Sequence, residues 1–251
     1  MQRPDGRAPN DLRSVKITSP YIPHAEGSAL FELGRTKVVA TATVEAKVPA
    51  FLRGTGQGWV TAEYAMLPRA TTVRTPRDST QGRIAGRSQE IQRMIGRSLR
   101  ATVSLGQLGE YTVWIDCDVI EADGGTRTAC VCAGFVALVG ALRYLQARGQ
   151  FESLPLKTSV AATSVGIIEG TPCLDLCYAE DAQAEVDLNV VMTGEGLLVE
   201  IQGTAEGHPF SRDQLGELLD LAGQGIGRLI ALQDEALGLT RPLLAPAPAS
   251  G

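Results

Sequence analysis

The spacing of hydrophobic and polar residues along this chain has two periods, which predict a mixture of strands and helices. Strands are predicted at 28–33 and 37–46, forming a hairpin around Gly34-Arg35, and at 111–120, 158–168, 173–178, 184–193 and 197–203. Helices are predicted at 81–102, 125–147 and 211–237, the last beginning with a capping box of Ser211 and Gln214. Residues 48–80 show little periodicity and are predicted to form a long loop.

The order of these elements indicates the fold class. Strands and helices do not alternate strictly, which favours α+β layers over a doubly wound parallel sheet. The 251 residues fit one large domain, predicted to span 1–240, while the Pro- and Ala-rich residues 241–251 are predicted to be a disordered tail. Uninterrupted apolar runs long enough for a transmembrane helix are absent, so no membrane partner is expected.

Charge is distributed unevenly along the chain. The formal net charge is −5, and such an acidic chain repels nucleic acid unless a local basic cluster overcomes the overall field. Residues 69–100 form such a cluster, because they contain eight arginines and only Asp78 and Glu90 as acids. Any site for a polyanion is therefore expected in this part of the sequence.

Within the predicted helix 81–102, the arginines share one face. At about 100° per residue, they fall on one arc opposite an apolar stripe of Ile84, Ile91, Ile95 and Leu99. A solvated face is the ordinary explanation, although only Glu90 interrupts the positive charge. Phosphate binding and pairing with acids across a subunit interface are the alternatives. The arginines on this arc are Arg83, Arg87, Arg93, Arg97 and Arg100.

A glycine-rich turn lies between the strand at 111–120 and the helix at 125–147. Its sequence is Asp123-Gly124-Gly125-Thr126-Arg127-Thr128. Glycines allow a ligand to approach the backbone, and the free N–H groups that begin a helix attract an anion. Arg127 adds a bidentate donor. The turn alone could be a tight connection, but together with Arg87 it predicts a phosphate site at Arg87, Gly125, Thr126 and Arg127.

Two carboxylates are candidates for the chemistry next to this phosphate site. Asp181 follows Glu180 in a predicted turn between strands, and Asp187 alternates with Glu185 and Asn189 along the next strand. A pair of carboxylates near phosphate can hold Mg²⁺ or act as acid and base. Solvent exposure in a hairpin is the simpler alternative.

The predicted loop 48–80 carries further arginines. Arg69, Arg74 and Arg77 could follow the backbone of a single-stranded nucleic acid, whereas solubility would explain them equally well. The five cysteines are odd in number and include no C-x-x-C pair, so we expect reduced, packed thiols in a cytoplasmic protein.

Taken together, the motifs resemble the bacterial ribonuclease PH family over residues 3–237. The matching segments are Arg3-Pro4-Asp5-Gly6-Arg7, Gly58-Trp59-Val60-Thr61-Ala62-Glu63-Tyr64, Glu90-Ile91-Gln92-Arg93-Met94-Ile95-Gly96-Arg97-Ser98-Leu99-Arg100, Asp116-Cys117-Asp118-Val119, Asp123-Gly124-Gly125-Thr126-Arg127-Thr128 and Val190-Val191-Met192-Thr193-Gly194. Leu12-Arg13-Ser14 departs from the family, in which proline commonly follows the arginine.

This resemblance implies an enzyme with the ribosomal-protein-S5-domain-2-like α+β fold. The family removes nucleotides from the 3′ end of tRNA precursors, and of other RNA, by reversible phosphorolysis that releases nucleoside diphosphates. The resemblance implies that Asp181 and Asp187 are catalytic residues and Mg²⁺ ligands and that inorganic phosphate is the co-substrate. It also implies that Arg69, Arg74 and Arg77 bind RNA. The implied assembly is a homo-hexamer built as a trimer of dimers. A silent RNA-binding ring subunit and a hydrolytic nuclease are the alternatives.

Overall fold

The fold is built from two β-sheets and three long helices. A computed structural model describes residues 3–82 and 84–239, so the predicted disordered tail 241–251 and Arg83 lie outside the described residues. The first sheet has the strand order β1-β2-β3-β5-β4, and every neighbouring pair is antiparallel except β4 and β5, which are parallel. Its strands are β1 (Val15–Thr18), β2 (Gly27–Leu33), β3 (Thr36–Glu45), β4 (Trp59–Met66) and β5 (Thr112–Glu121).

Strand β4 corrects the prediction of a long loop at 48–80. Its residues alternate between buried Val60, Ala62 and Tyr64 and more accessible neighbours, as expected for an edge strand with one face on the core. The small side chain of Ala62 at a buried position weakens the hydrophobic period. The short strand β1 was also not predicted.

The second sheet is wholly antiparallel, with the strand order β7-β6-β8-β9. Its strands are β6 (Val160–Ile168), β7 (Thr171–Leu174), β8 (Val186–Thr193) and β9 (Leu198–Ala205). The predicted strand at 173–178 is therefore wrong beyond Leu174. The chain instead forms a four-residue helix, α4 (Tyr178–Asp181), in front of β8.

Helix α3 (Thr126–Ala147) is the central element of the core, because it packs on β2, β3 and β5 of the first sheet and on β6 of the second. The helix approaches β2 closely, since a Cβ placed on Gly27 would lie 2.0 Å from the carbonyl oxygen of Ala137. Its length and composition would suit a membrane span, but 83% of its most apolar window is buried within the protein. That burial is what a core helix requires.

Helix α1 (Gly86–Thr102) begins five residues later than predicted. Gly82 adopts a left-handed conformation and Ala85 is extended, so neither of these residues is helical and α1 starts after Ala85. Ile84 consequently lies outside the helix and is exposed, whereas Ile91, Ile95 and Leu99 are buried as predicted. A short helix, α2 (Leu105–Leu108), follows.

Helix α5 (Arg212–Leu237) packs against β6 and β7 of the second sheet. Its predicted capping box is confirmed, because the Gln214 N–H donates to Ser211 Oγ and the Ser211 N–H donates to Gln214 Oε1. One hydrophobic cluster runs from the first sheet through α3 to the second sheet and α5. All five cysteines are buried thiols, as predicted.

Candidate active site

The turn between β5 and α3 leaves the N-terminus of α3 open to a ligand. Gly124 and Gly125 both have positive φ values, 75° and 65°, and Gly125 is the residue that caps α3. The cap makes no side-chain hydrogen bond, and the first turn of α3 contains no acidic residue. The free N–H groups and the positive end of the helix dipole therefore favour an anion here.

This turn packs directly against the segment that leads into α4. A Cβ on Gly124 would lie 2.5 Å from the carbonyl oxygen of Leu176 and 2.8 Å from the nitrogen of Tyr178. The Tyr178 N–H also donates to Asp123 Oδ1 at 3.4 Å. The predicted phosphate turn and the segment that carries Asp181 thus touch each other, although they are far apart in the sequence.

Arg127 is held in place from the neighbouring strand β9. Its Nη1 donates to Gln202 Oε1 at 2.8 Å, and Gln202 Nε2 donates in turn to Glu200 Oε1 at 2.8 Å. Glu200 also receives a bidentate pair from Arg97, with distances of 2.9 Å and 2.7 Å. Gln202 was not among the predicted site residues, and no local sequence motif marks it.

Arg87 is the second residue of α1 and is exposed to solvent. It lies close enough to Tyr64, Asp181 and Asp187 for its positive charge to lower the pKa of each. Burial raises the pKa of Tyr64 to about 12, so its hydroxyl stays neutral next to Thr126, whose Oγ1 lies 3.4 Å away. Arg87 and Arg127 therefore both lie close enough to Tyr64, Asp181 and Asp187 to act on them electrostatically.

The other arginines of α1 have different roles. Arg97 pairs with Glu200 inside the same chain rather than across an interface. Arg100 lies 4.3 Å from the centre of the Trp59 ring and donates to the carbonyl oxygen of Val60 at 2.8 Å. The described arginines of this face are thus divided between site and scaffold, and Arg87 in the first turn is the one that acts on Asp181 and Asp187.

Asp187 lies on β8 opposite Thr204 of β9, on the sheet face that also carries Gln202. Its Oδ1 is buried and has no hydrogen-bond partner among the described residues. Burial, together with the negative charge of Asp181, raises the pKa of Asp187 to about 6, although Arg127 and Arg87 act in the opposite direction. A buried carboxylate oxygen without a donor is prepared for a cation or a proton.

Asp181 is the last residue of α4 rather than part of a simple turn, which corrects the prediction. Its side chain is solvent-accessible, yet partial burial raises its pKa, while Arg127 and Arg87 lower it. The negative charge of Asp181 raises the pKa of Asp187, so the two carboxylates lie close enough to interact.

This pair is suited to Mg²⁺. The described residues contain no group of three or more His, Cys, Asp or Glu side chains that could form a closed metal cage. Mg²⁺ does not need one, because it is usually held by one or two carboxylates, waters and substrate phosphates. The unpartnered Oδ1 of Asp187 is a carboxylate oxygen of the kind that such a site uses.

The loop arginines Arg69, Arg74 and Arg77 follow β4 and are all exposed. The base of their segment lies next to the phosphate turn, because the Ala122 N–H donates to the carbonyl oxygen of Ala70 at 2.9 Å. Burial raises the pKa of Asp118, and the positive charge of the nearby Arg77 acts in the opposite direction. Among the contacts of the described residues, none joins these three arginines to Asp181 or Asp187.

Sequence comparison decides the family. The profile of the 3′ exoribonuclease family, domain 1, matches residues 11–142, and that of domain 2 matches residues 158–225. The chain belongs to the 3′ exoribonuclease family. In this chain the candidate site draws on both matched domains. Arg87 and the turn at 123–127 lie in domain 1, and Asp181 and Asp187 lie in domain 2.

Individual relatives agree with this 3′ exoribonuclease assignment. The chain is 57% identical over 238 residues to a protein named ribonuclease PH from Moorella thermoacetica, covering 95% of each chain. It is 56% identical over 239 residues to ribonuclease PH from Syntrophomonas wolfei, covering 95% of this chain and all of that one. The resemblance inferred from the motifs, the enzyme class and the exoribonuclease activity of the family are confirmed.

Solved structures in the same 3′ exoribonuclease fold are more distant in sequence. Rice Rrp46 superposes with a TM-score of 0.76 at 21% identity, covering 94% of this chain and 100% of that chain. An Archaeoglobus fulgidus exosome with RNA bound to the active site gives a TM-score of 0.75 at 23% identity, covering 92% of each chain. The predicted α+β fold of this family is confirmed.

Proposed function

We propose that this protein is a phosphorolytic 3′-to-5′ exoribonuclease that trims tRNA precursors and other RNA 3′ ends. The observation that carries the proposal is the convergence of two arginines and a helix N-terminus on a pair of aspartates. Arg87, Arg127 and the start of α3 at Gly125-Thr126 are suited to an anion, and Asp181 and Asp187 to a cation. The relatives named ribonuclease PH support it further.

In the proposed reaction, inorganic phosphate is held by Arg87, Arg127, Thr126 and the free amides of α3. An oxygen of this phosphate attacks the phosphorus of the last phosphodiester, and the bond from that phosphorus to the 3′ oxygen of the preceding nucleotide breaks. The terminal nucleotide leaves as a nucleoside diphosphate, and the shortened RNA takes a proton on its new 3′ hydroxyl. The reaction breaks one phosphorus–oxygen bond and forms another. Its reverse, in which a nucleotide is added to an RNA 3′ end and inorganic phosphate is released, is therefore also expected.

The aspartates have the complementary role. Asp187, with Asp181 beside it, would hold Mg²⁺ through its unpartnered Oδ1. When bound, Mg²⁺ supplies positive charge to the phosphate oxygens. The exposed Arg69, Arg74 and Arg77 would hold the RNA backbone behind the cleaved nucleotide, since arginine suits a sugar-phosphate chain. The proposal also includes a cytoplasmic location and a hexamer built as a trimer of dimers.

The test is product analysis on a tRNA with a short 3′ extension, incubated with Mg²⁺ in the presence and absence of inorganic phosphate. Nucleoside diphosphates formed only with phosphate are the expected products. Monophosphates formed without phosphate would indicate a hydrolytic nuclease instead. Binding of the tRNA without any product would indicate a silent RNA-binding subunit. Arg87→Ala should raise the phosphate concentration needed for half-maximal rate.

A further inference from the structure

A buried arginine from the N-terminal segment joins the two parts of the candidate active site. Arg13 lies just before β1, and only 5% of its surface is exposed. Its guanidinium is located where the turn at 123–125 meets the segment 175–181, which ends at Asp181. The proposed reaction assigns no role to Arg13. Burying an arginine costs considerable free energy unless it is paired, so its burial at this position calls for an explanation.

Towards the carboxylate segment, Arg13 is bound to Asp175. Its Nε donates to Asp175 Oδ2 at 3.0 Å and its Nη2 to Oδ1 at 2.7 Å, while the Arg13 backbone N–H donates to Oδ2 at 2.8 Å. Asp175 is itself buried and has a left-handed φ of 55°, which non-glycine residues rarely adopt. This bidentate pair therefore fixes the backbone at the start of the segment that carries Asp181.

Towards the phosphate turn, the same guanidinium donates to two backbone carbonyls. Nη1 donates to the oxygen of Asp123, and Nη2 to that of Gly124 at 3.4 Å. Thr36 holds the turn from the other side, donating to Gly124 O at 2.7 Å and accepting from the Asp123 N–H at 2.9 Å. A Cβ on Gly34 would lie 2.7 Å from Arg13 Cδ, so this glycine leaves room for the arginine.

A second buried pair holds the other end of the same segment. Arg3 donates from Nε and Nη2 to the two carboxylate oxygens of Glu180, at 2.6 Å and 2.9 Å. Glu180 Oε2 also accepts from the Cys177 N–H at 2.9 Å, which caps α4. Among the described residues, the hydrogen bonds of Arg3 go to the carboxylate segment and to the carbonyl oxygens of Ala8, Pro9 and Asp11, whereas those of Arg13 go to both parts of the site.

We propose that Arg13 is a positioning residue, which sets the distance between the phosphate turn at 123–125 and the segment 175–181 that ends in Asp181. This inference rests on the proposed function. It requires the planar fork of arginine, because a lysine ammonium keeps the charge but cannot reproduce a bidentate carboxylate pair together with two carbonyl contacts. The guanidinium of Arg13 donates to Asp175 and to the carbonyl oxygens of Asp123 and Gly124, so Arg13 acts through the two segments it joins.

The experiment compares Arg13→Lys with Arg143→Gln in the full chain. Arg143 donates to the carbonyl oxygen of Leu237 at 2.6 Å and joins α3 to α5, so its loss is a control for weakened packing elsewhere. Arg13→Lys is expected to raise the phosphate KM about tenfold or more and to leave the RNA KM nearly unchanged, since small displacements of reacting groups are costly. Arg143→Gln should lower Tm without changing either KM.

Phosphate binding is measured separately, as the increase in Tm that inorganic phosphate gives to each protein. This increase should be smaller in Arg13→Lys than in the wild type, and unchanged in Arg143→Gln. A wild type that forms no nucleoside diphosphate would refute the proposed function, while the Tm measurement would still test Arg13. A wild-type phosphate KM and Tm increase in Arg13→Lys would overturn the inference.

If Arg13→Lys does not fold, Thr36→Val replaces it. This variant removes the hydroxyl that holds the turn at Asp123 and Gly124 without leaving a buried charge unpaired. The inference predicts a raised phosphate KM for Thr36→Val as well, because this variant releases the same turn at 123–125 from its other side. An unchanged phosphate KM in a folded Thr36→Val protein would overturn it.

Discussion

Asp187 lies in surroundings that are unfavourable to its charge. The protein places two arginines near it, yet burial and the neighbouring Asp181 outweigh them and raise its pKa to about 6. Its buried Oδ1 lacks a donor among the described residues. Such an arrangement reduces stability in the free protein, and perturbed carboxyls of this kind cluster at functional sites.

The pKa of Asp187 predicts a pH-dependent effect of Asp187→Asn on stability. A carboxyl whose folded pKa lies above its ordinary value of 3.8 binds its proton more tightly in the folded state. Wild-type stability should therefore fall as pH rises from about 4 to about 6, by about 1–3 kcal/mol. The variant lacks this loss, so in EDTA its Tm should exceed that of wild type at pH 7.5 and match it near pH 4.

Asp181→Asn is the matched control for this measurement, since Asp181 is solvent-accessible and retains water around its charge. It should change Tm less than Asp187→Asn at pH 7.5. A Tm of Asp187→Asn below that of wild type at pH 7.5 in EDTA would contradict the assigned environment of Asp187.

Gln202 gives a second prediction at the residue scale. Its Oε1 accepts from Arg127, and its Nε2 connects that arginine to the Arg97–Glu200 pair. Gln202→Met keeps the length of the side chain and removes both hydrogen bonds, so Arg127 loses its fixed orientation. The phosphate KM should rise several-fold, by about 1 kcal/mol in binding. Steady-state kinetics at varied phosphate measure this.

The control for Gln202→Met is Gln92→Met. Gln92 also donates to a carboxylate, Glu63 Oε2 at 2.6 Å, but it makes no contact with Arg127 or the two aspartates among the described residues. Its phosphate KM should remain that of wild type. Equal changes in phosphate KM in Gln202→Met and Gln92→Met would show that Gln202 has no specific role in holding Arg127.

At the scale of elements, the sequence predicts helices and strands well where one period is strong. Helix α5 has both a clear period and a capping box, and its first helical residue, Arg212, lies one residue from the predicted start. Strand β4 was missed, because Ala62 at a buried position gives little hydrophobic signal. Helix α4 was missed because four residues are too few for a helical period to appear.

The candidate site was predictable only in part, for a similar reason. Arg87, Arg127 and the two aspartates occur in motifs whose residue types suggest phosphate and metal chemistry. Gln202 and Arg13 are ordinary polar residues in the sequence, and only the pairing of β8 with β9 and the path of the N-terminal segment bring them to the site. Contacts between distant segments leave no local pattern to read.

The phosphate turn itself can be tested with Gly124→Ala. Gly124 has a positive φ, and a Cβ there would lie 2.5 Å from Leu176 O and 2.7 Å from the carbonyl carbon of Cys177, so backbone must move. The turn and the segment of Asp181 should separate. Both stability and phosphate binding should fall, with a loss of stability above the roughly 1–2 kcal/mol expected from the left-handed φ alone. Denaturant unfolding and phosphate KM measure the two effects.

Gly54→Ala is the control for this substitution. Gly54 has nearly the same φ, 74°, but a Cβ there would meet nothing within 4 Å. The Gly54→Ala variant should lose only the stability that the left-handed φ costs an alanine, and its phosphate KM should not change. Equal losses of stability in the two variants would mean that Gly124 is not packed as described.

The arginine loop after β4 gives a prediction about RNA. Replacing Arg69, Arg74 and Arg77 together by alanine should raise the KM for tRNA and leave that for phosphate unchanged, because these side chains are exposed and lie apart from the carboxylates. The salt dependence of tRNA binding should also weaken, by about 0.7–0.9 in log–log slope for each lost phosphate contact. Fluorescence titrations at several salt concentrations measure the slope. A slope equal to that of wild type would place the RNA elsewhere.

On the scale of the whole molecule, the site lies between the two parts that the family profiles distinguish. Arg87, Arg127 and the turn at 123–125, which we propose bind phosphate, come from residues 11–142, and the two aspartates come from residues 158–225. Helix α3 supports both, since it starts at the phosphate turn and packs on both sheets. The chemistry therefore depends on the packing of the two sheets around α3, and local changes far from the aspartates can alter the site.

The proposed hexamer predicts a native mass six times the 26.5 kDa of the chain. Strand β9 lies at the open edge of its sheet, and Leu197 and Leu198 next to that edge are 66% and 50% exposed. Proteins usually cover a hydrophobic sheet edge. We expect a ring to cover this one, so amide hydrogens of β9 should exchange more slowly in the hexamer than in dissociated chains. Sedimentation gives the mass and hydrogen exchange locates the contact. A hexamer in which β9 exchanges as fast as in the free chain would place the interface on another surface.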